Sequence, residues 1–193
     1  MRNNAPRDTE AKFIQEVCKD VKIEPELIPI EQDGIQGNTA DKARLDISAR
    51  GVWSQCEKTF FDVRVTHPNA ESMKAKSLQQ IYKHNEAEKK RLYNDRVINC
   101  EKATSTPLVF TTTGGMGPEC ERLNKRIAQL IAYKRNESYC DVIDHIRARL
   151  RFSLLGSTLV AIRGQGGKLS SEDNNLQGVS FNLIQKEQYY EAM

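Results

Sequence analysis

The alternation of apolar and polar residues predicts a first helix followed by three strands. Residues 8–21 place apolar side chains at helical spacing, with Asp8 as the N-cap. Residues 24–30 contain two prolines, which permit only an edge strand. Residues 43–47 and 58–66 alternate apolar and polar side chains, the pattern of half-buried strands. The amino-terminal part of the chain is therefore expected to be α-β-β-β.

Helical periodicity dominates the second half of the chain. Residues 77–102 predict a long helix and residues 106–113 an apolar strand, which together close a right-handed β-α-β unit. Residues 119–133 and 138–162 predict two further amphipathic helices. The glycines between the strand and these helices, Gly114–Gly117, form either a tight turn or a backbone phosphate site.

The domain boundary is predicted where this periodicity ends. Residues 164–193 are expected to be a loosely ordered tail, with a weak strand pattern at 179–184. Residues 1–163 are expected to form one α/β domain with an α-β-β-β-α-β core. A mixed central sheet and extra C-terminal helices complete that expectation.

Composition narrows the class of protein. The chain has 193 residues, enough for one domain with its own core, and a net charge of +3. No apolar run approaches the roughly 18 residues that span a bilayer, so no membrane partner is expected. The five cysteines lack metal-ligand spacing and favour reduced thiols in an intracellular protein, nuclear or cytoplasmic.

Two acidic residues stand among apolar neighbours in adjacent predicted strands. Asp62 and Arg64 share one face of their strand, and Asp46 lies on the preceding strand. If the strands pair as a hairpin, two carboxylates and a cation converge on one sheet face. Such a cluster is neutralised either by a metal ion or by a salt bridge with Arg64 or Arg44. The pattern alone leaves both interpretations open.

The order of these segments resembles the PD-(D/E)xK nuclease superfamily, whose members share the restriction-endonuclease-like fold. The resemblance is closest to endonuclease regions that accompany some reverse-transcriptase-bearing retroelements, and it covers roughly residues 7–164. The segments that carry it are Glu16–Cys18, Ala43–Ile47, Phe60–Val65, Pro107–Phe110 and Gly114–Gly117. The three-residue nuclease motif is degenerate, so the ordered segments make the case.

The resemblance implies a metal-dependent endonuclease that hydrolyses phosphodiester bonds in DNA. It implies that Asp46 and Asp62 bind Mg²⁺ or Mn²⁺ together with the backbone carbonyl of Val63. A third carboxylate often comes from the first helix in this superfamily, and Glu10 lies on the predicted inner face. The alternative for Glu10 is a carboxylate favoured by the helix dipole. Arg64 stands where the family usually carries a catalytic lysine, and arginine cannot act as a general base.

The long helix offers a replacement for the missing lysine. Its apolar stripe is interrupted by Asn85 and Lys89 at helical spacing. One interpretation places Lys89 at the catalytic edge of the sheet as a migrated catalytic lysine. The other places it in solvent on a slightly misphased helix.

Basic residues and the resemblance together suggest partners. The candidate DNA-binding residues are Lys74, Lys76, Lys83, Lys90 and Arg91. A solvated helix surface is the alternative for this cluster. Other partners considered are a second copy of the chain and a reverse-transcriptase module of the same element. The rival functions are a catalytically inactive relative that binds nucleic acid or a protein, and a purely structural domain.

Overall fold

Four strands form one mixed sheet, and helices cover both of its faces. The structure is a computed structural model that describes residues 4–30 and 34–165. The strands are β1 (Lys19–Ile23), β2 (Ile47–Arg50), β3 (Lys58–Thr66) and β4 (Thr104–Thr111). The main helices are α1 (Asn4–Val17), α2 (Leu78–Asn99), α3 (Pro118–Arg135) and α4 (Tyr139–Gln165). A short 3₁₀ helix, Glu71–Met73, follows β3.

The sheet has the strand order β1-β2-β3-β4. Strand β1 pairs antiparallel to β2, and β2 pairs antiparallel to β3. Strand β4 pairs parallel to β3, with Pro107 opposite Asp62. The parallel pair requires a crossover connection, which α2 supplies. The fold is mixed α/β, and α2 connects the parallel strands β3 and β4, as predicted.

Adjacent residues of β3 define the two faces of the sheet. Phe61 packs in the larger core with side chains from α1, α3 and α4. Phe60 points the other way and packs with Val97 of α2. Because the side-chain period of a strand is two, Asp62 and Arg64 share the α2 face with Phe60.

The predicted boundaries of the first elements are wrong. The first helix ends at Val17 rather than at residue 21, and Val21 belongs to β1 instead. Left-handed backbone angles occur at Asp20, within this short strand, and at Glu24, directly after it. The proline-containing segment 24–30 contributes only an isolated bridge from Glu26 to Arg44, because proline cannot donate to a ladder.

The second predicted strand is also displaced. The ladder of β2 begins at Ile47, whereas residues 43–47 were predicted. Before it, the Asp46 backbone N–H donates to the Phe61 carbonyl at 3.1 Å, and the Asp46 side chain takes the next bond. A side-chain acceptor thus replaces a backbone acceptor where the ladder starts.

The later elements match their predicted positions within a few residues. Ser77 and Gln80 form a capping box that fixes the start of α2. Gly114–Gly117 is a strand-to-helix turn, in which the Gly115 N–H donates to Thr111 Oγ1 and the Gly117 N–H to the Val109 carbonyl. These internal acceptors explain why the turn interpretation holds.

Three sequence-based expectations concern the C-terminal region, membrane-spanning segments and the cysteines. The predicted strand at 179–184, like residues 166–193 as a whole, lies outside the described residues. In the described ranges, no helix combines the length and apolar character required to cross a membrane. The cysteines at positions 18, 56, 100, 120 and 140 are free thiols.

Candidate functional site

Asp62 lies near the middle of β3, beneath α2. Its side chain is almost completely buried, because α2 covers this face of the sheet. Burial raises the pKa of Asp62 to about 6. The ammonium group of Lys89 opposes that rise, and the carboxylate of Asp46 adds to it. A buried carboxylate with a perturbed pKa and a specific charged partner is typical of functional sites.

Asp46 lies beside Asp62 at the start of β2. The carboxylate of Asp46 lies close enough to raise the pKa of Asp62, so the two acids are neighbours. Asp46 Oδ2 also accepts the Val63 backbone N–H at 2.7 Å, which fixes the orientation of its carboxylate. The structure therefore brings together the two aspartates that the sequence singled out.

The backbone of Val63 contributes a second polar group to this pair. In a strand the N–H and C=O of one residue point to the same side. Since the Val63 N–H points toward Asp46, the Val63 carbonyl points to that side as well. The β2 ladder begins opposite Phe61, so it does not extend to Val63. This carbonyl oxygen is thus directed to the side of the sheet where the carboxylates meet.

Lys89 reaches the aspartate pair from α2. Its Nζ lies 2.8 Å from Asp62 Oδ2, and its side chain is about one-fifth exposed. Asn85, one turn earlier on the same helix face, is fully buried and donates to the Ile81 carbonyl at 2.7 Å. The interruption of the apolar stripe at Asn85 and Lys89 therefore faces the sheet. Of the two interpretations of Lys89, the structure has the one in which it contacts Asp62.

Arg64 lies on the same strand face as Asp62 but has a different partner. Its Nη1 lies 2.5 Å from Glu88 Oε2 of α2, and both side chains are about one-third exposed. Arg44 pairs with Glu26. The salt bridge that neutralises Asp62 is therefore made by Lys89, neither by Arg64 nor by Arg44.

Sequence reasoning missed Glu88 as a member of this site. Glu88 holds Arg64 across a separation of 24 residues along the chain. Periodicity gives no signal for such a contact, because it relates residues within one helix rather than residues on a helix and a strand. The only hint is that Glu88 adjoins Lys89, so both reach β3 from neighbouring positions.

Glu10 is not brought to the aspartate pair. Its side chain is fully buried against α3, where Asn124 Nδ2 donates to Glu10 Oε1 at 3.1 Å. Because α1 and α3 pack with Phe61, this carboxyl lies on the sheet face opposite Asp62. Glu10 therefore does not lie where the expected third metal ligand would be, because the inner face of α1 packs against α3.

The environment of Glu10 predicts an unusual pH dependence of stability. Burial raises its pKa to about 7, and hydrogen bonds from Asn124 and Cys120 oppose this only in part. The folded state keeps the proton that the unfolded chain releases near pH 4.5, so folding stability falls between about pH 4.5 and 7. Glu10→Gln should remove this decrease in the free energy of unfolding, which is at most about 3 kcal/mol.

Denaturant unfolding at pH 5 and pH 8 measures this effect. We expect the wild type to lose more stability than Glu10→Gln over that interval. Glu16→Gln is the matched control, because Glu16 lies on the same helix and pairs with Arg135 near the surface. Equal pH dependence in the wild type and Glu10→Gln would contradict the prediction.

The candidate DNA-binding residues occupy three environments. Lys83 and Arg91 are exposed on the outer face of α2. Lys74 is exposed and pairs with Glu71, whereas Lys76 is half-buried next to the start of α2. Lys90 turns toward α3, where its Nζ lies 2.7 Å from Glu119 Oε1. The ion pair of Lys90 makes it the least available of the five for a phosphate.

The metal-binding capacity of the site rests on few donors. Within residues 4–30 and 34–165, no group of three or more histidine, cysteine, aspartate or glutamate side chains is arranged to hold a metal ion. The aspartate pair supplies two carboxylates, and Val63 supplies a carbonyl. Magnesium commonly uses one or two carboxylates and completes its shell with water and substrate oxygens.

Comparisons with protein-family models, curated proteins and solved structures find no match to this chain. The arrangement of its own residues is therefore the basis for assigning a function.

Proposed function

We propose that this chain is a metal-dependent DNA endonuclease domain of the PD-(D/E)xK type, from a mobile element. The observation that carries the proposal is the ion pair of Asp62 with Lys89 beside a second aspartate, Asp46. Asp46 and Asp62 are neighbours, and Lys89 Nζ lies 2.8 Å from Asp62 Oδ2. Two acids and one amine at one sheet face are the side chains that this chemistry uses.

The donor set fits a hard divalent cation. The carboxylate of Asp46 disfavours ionisation of Asp62, since like charges lie close together. A cation bound by both would favour the ionised forms and offset the cost of burying Asp62. The residues that would hold it are Asp46, Asp62 and the backbone carbonyl of Val63. When bound, Mg²⁺ or Mn²⁺ would neutralise charge on the phosphate and lower the pKa of a water molecule.

Lys89 and Arg64 provide the positive charge that the reaction needs. Hydrolysis breaks a P–O bond, and negative charge develops on the phosphate and on the leaving oxygen. Lys89 would stabilise that charge and orient the attacking water from its place beside Asp62. Arg64 would contact the scissile phosphate with its guanidinium, which requires it to exchange Glu88 for the phosphate oxygens.

The element order supports the finer fold assignment. Helix α1, the strands β1 to β3, the crossover helix α2 and β4 follow the α-β-β-β-α-β order of the restriction-endonuclease-like core. In that assignment α3 and α4 are additions that complete the large core beneath the sheet. In the same assignment Asp46 would match the first acid of the nuclease motif and Asp62 the second, and Lys89 of α2 would substitute for the motif lysine.

Basic residues on α2 and in the segment before it would hold the DNA backbone. Lys83 and Arg91 are exposed on α2, and Lys74 and Lys76 precede the helix. Contacts of lysine and arginine with phosphates fix the position of a duplex without reading its sequence. Binding through such contacts weakens steeply with salt.

Lys89→Met tests the proposed role of the lysine. We expect the rate at which supercoiled plasmid is nicked in Mg²⁺ or Mn²⁺ to fall about 100-fold, because a charge stabilising the transition state is lost. Affinity for DNA in the absence of metal should stay close to that of the wild type. Lys125→Met is the control, since Lys125 is exposed on α3. Equal nicking rates for the two variants would contradict the role of Lys89.

A second candidate function is nucleic-acid binding without cleavage. Glu10 lies across the sheet from Asp62, and Arg64 replaces the motif lysine. Both departures favour an inactive relative that retains the basic surface. Salt-dependent DNA binding, together with no metal-dependent nicking by the wild type, would favour this function over the first.

A further inference from the structure

Helix α4 has apolar side chains on two opposite faces. Leu150 and Leu154 are fully buried and belong to the large core. On the other side Phe152 is 72% exposed and Leu155 54% exposed. A helix that only packs on its own domain needs one apolar face, so the second face requires its own explanation.

Four of the exposed apolar residues of α4 follow a coiled-coil spacing. They are separated by four, three and four positions and are Ala148, Phe152, Leu155 and Leu159, which we call the α4 seam. On a helix these positions fall within an arc of about 60°, opposite Leu150 and Leu154. Val160, which is 64% exposed, lies outside this arc on the same helix. A repeat of four, three and four positions is typical of a helix–helix seam.

The residues beside the α4 seam give it a positive charge. Arg149 and Arg151 flank it and are both exposed. From Arg147 to Gln165 the sequence contains four arginines and no aspartate or glutamate. Charged residues at flanking positions determine which partner helix a coiled-coil seam accepts.

Small residues beside the α4 seam allow close approach. A side-chain carbon added at Gly156 would meet no atom within 4 Å. The Thr158 hydroxyl donates to the Leu154 carbonyl at 2.9 Å, so its polar group is already satisfied. A partner helix can therefore pack against Leu155 and Leu159 without displacing a bulky or unpaired polar neighbour.

We infer that the α4 seam docks an amphipathic helix of a partner protein, with leucine-like residues on its apolar face and acids beside them. Such a helix would bury Phe152, Leu155 and Leu159 and place its carboxylates near Arg149 and Arg151. A second copy of the chain fits less well, because it would bring further arginines to the same segment. This surface is separate from the aspartate pair on the α2 face of the sheet.

The test uses the full chain and two synthetic helical probes of about 28 residues, or four heptads. Both probes carry leucine at the seam positions; one carries glutamate at the flanking positions and the other lysine. Fluorescence anisotropy measures their binding. We expect the glutamate probe to bind at least tenfold more tightly than the lysine probe, and less so as salt increases.

Substitutions in the α4 seam test whether this surface is the one that binds the glutamate probe. The double substitution Phe152→Ser with Leu155→Ser should weaken binding of the glutamate probe at least tenfold, because both contacts are lost. Tyr133→Ser is the matched control, since Tyr133 is 91% exposed on α3. Circular dichroism of each variant checks that the fold is retained, which the exposure of the substituted residues predicts.

Four results would overturn the inference. These are no binding of the glutamate probe, equal binding of both probes, and equal binding by the Phe152–Leu155 double variant and the wild type. The fourth is a dimer of the wild-type chain in sedimentation that Leu155→Ser dissociates, which would assign the surface to a second copy. Binding to anionic vesicles, with no binding to the glutamate probe, would assign it to a lipid surface instead.

Discussion

Asp62→Asn is expected to lower metal-dependent nicking of supercoiled plasmid on the order of 1,000-fold or more. The substitution keeps the shape of the side chain but removes the charge that would hold the divalent ion with Asp46. It also leaves Lys89 without the carboxylate that lies 2.8 Å from its Nζ. The nicking rate should therefore fall further than in Lys89→Met, because the substitution removes both a ligand of the cation and the ion-pair partner of Lys89.

Two measurements distinguish this loss from unfolding. Calorimetric titration with Mg²⁺ should show weaker binding to Asp62→Asn than to the wild type, and thermal unfolding should show a retained cooperative transition. Asp144→Asn is the control, because Asp144 is an exposed acid on α4. Nicking by Asp62→Asn at the wild-type rate would exclude the proposed site. The absence of nicking by the wild type would favour the binding function instead.

Arg96→Met is expected to destabilise the fold by about 3 to 5 kcal/mol. Arg96 lies on α2, and its side chain is completely buried. Its guanidinium donates to four backbone carbonyls, those of Leu27, Ile28, Asn38 and Ala40. Methionine fills a similar volume but leaves those four acceptors without the guanidinium donor.

Denaturant unfolding measures the effect of the Arg96 substitution. Arg91→Met is the control, since Arg91 is exposed on the same helix. We expect the control to stay within about 0.5 kcal/mol of the wild type, as surface substitutions usually do. A similarly small change for Arg96→Met would show that the guanidinium does not hold the segments on either side of residues 31–33 against α2.

The sequence predicted the later elements better than the early ones. The span of β3 and the starts of α2 and α3 are marked by strong periodicity, a capping box and a proline at the first helical turn. The boundary between α1 and β1 has no such signal. Val17, Cys18 and Val21 continue the helical spacing, yet the chain turns into a strand that pairs with β2. Pairing with a distant segment outweighed the local pattern there.

Predictions of the candidate site divide in the same way. The alternation along β3 placed Asp62 and Arg64 on one face, whereas the helical spacing of α2 left open whether Lys89 faces the sheet or solvent. Which groups meet across that interface depends on how the axis of α2 lies over the sheet. Lys89 reaches Asp62, while Arg64 reaches Glu88. The inward orientation of Glu10 was also predicted, but not the sheet face that it occupies.

By itself the sequence determined the order of the elements from β3 onward and the face on which most side chains lie within those elements. Those properties follow from the fixed rise and rotation of each residue in a strand or a helix. Only the tertiary structure decided that Asp46 lies beside Asp62, that Lys89 contacts this pair and that Glu10 lies across the sheet from it. Contacts between elements depend on packing over the whole domain, which local periodicity does not encode.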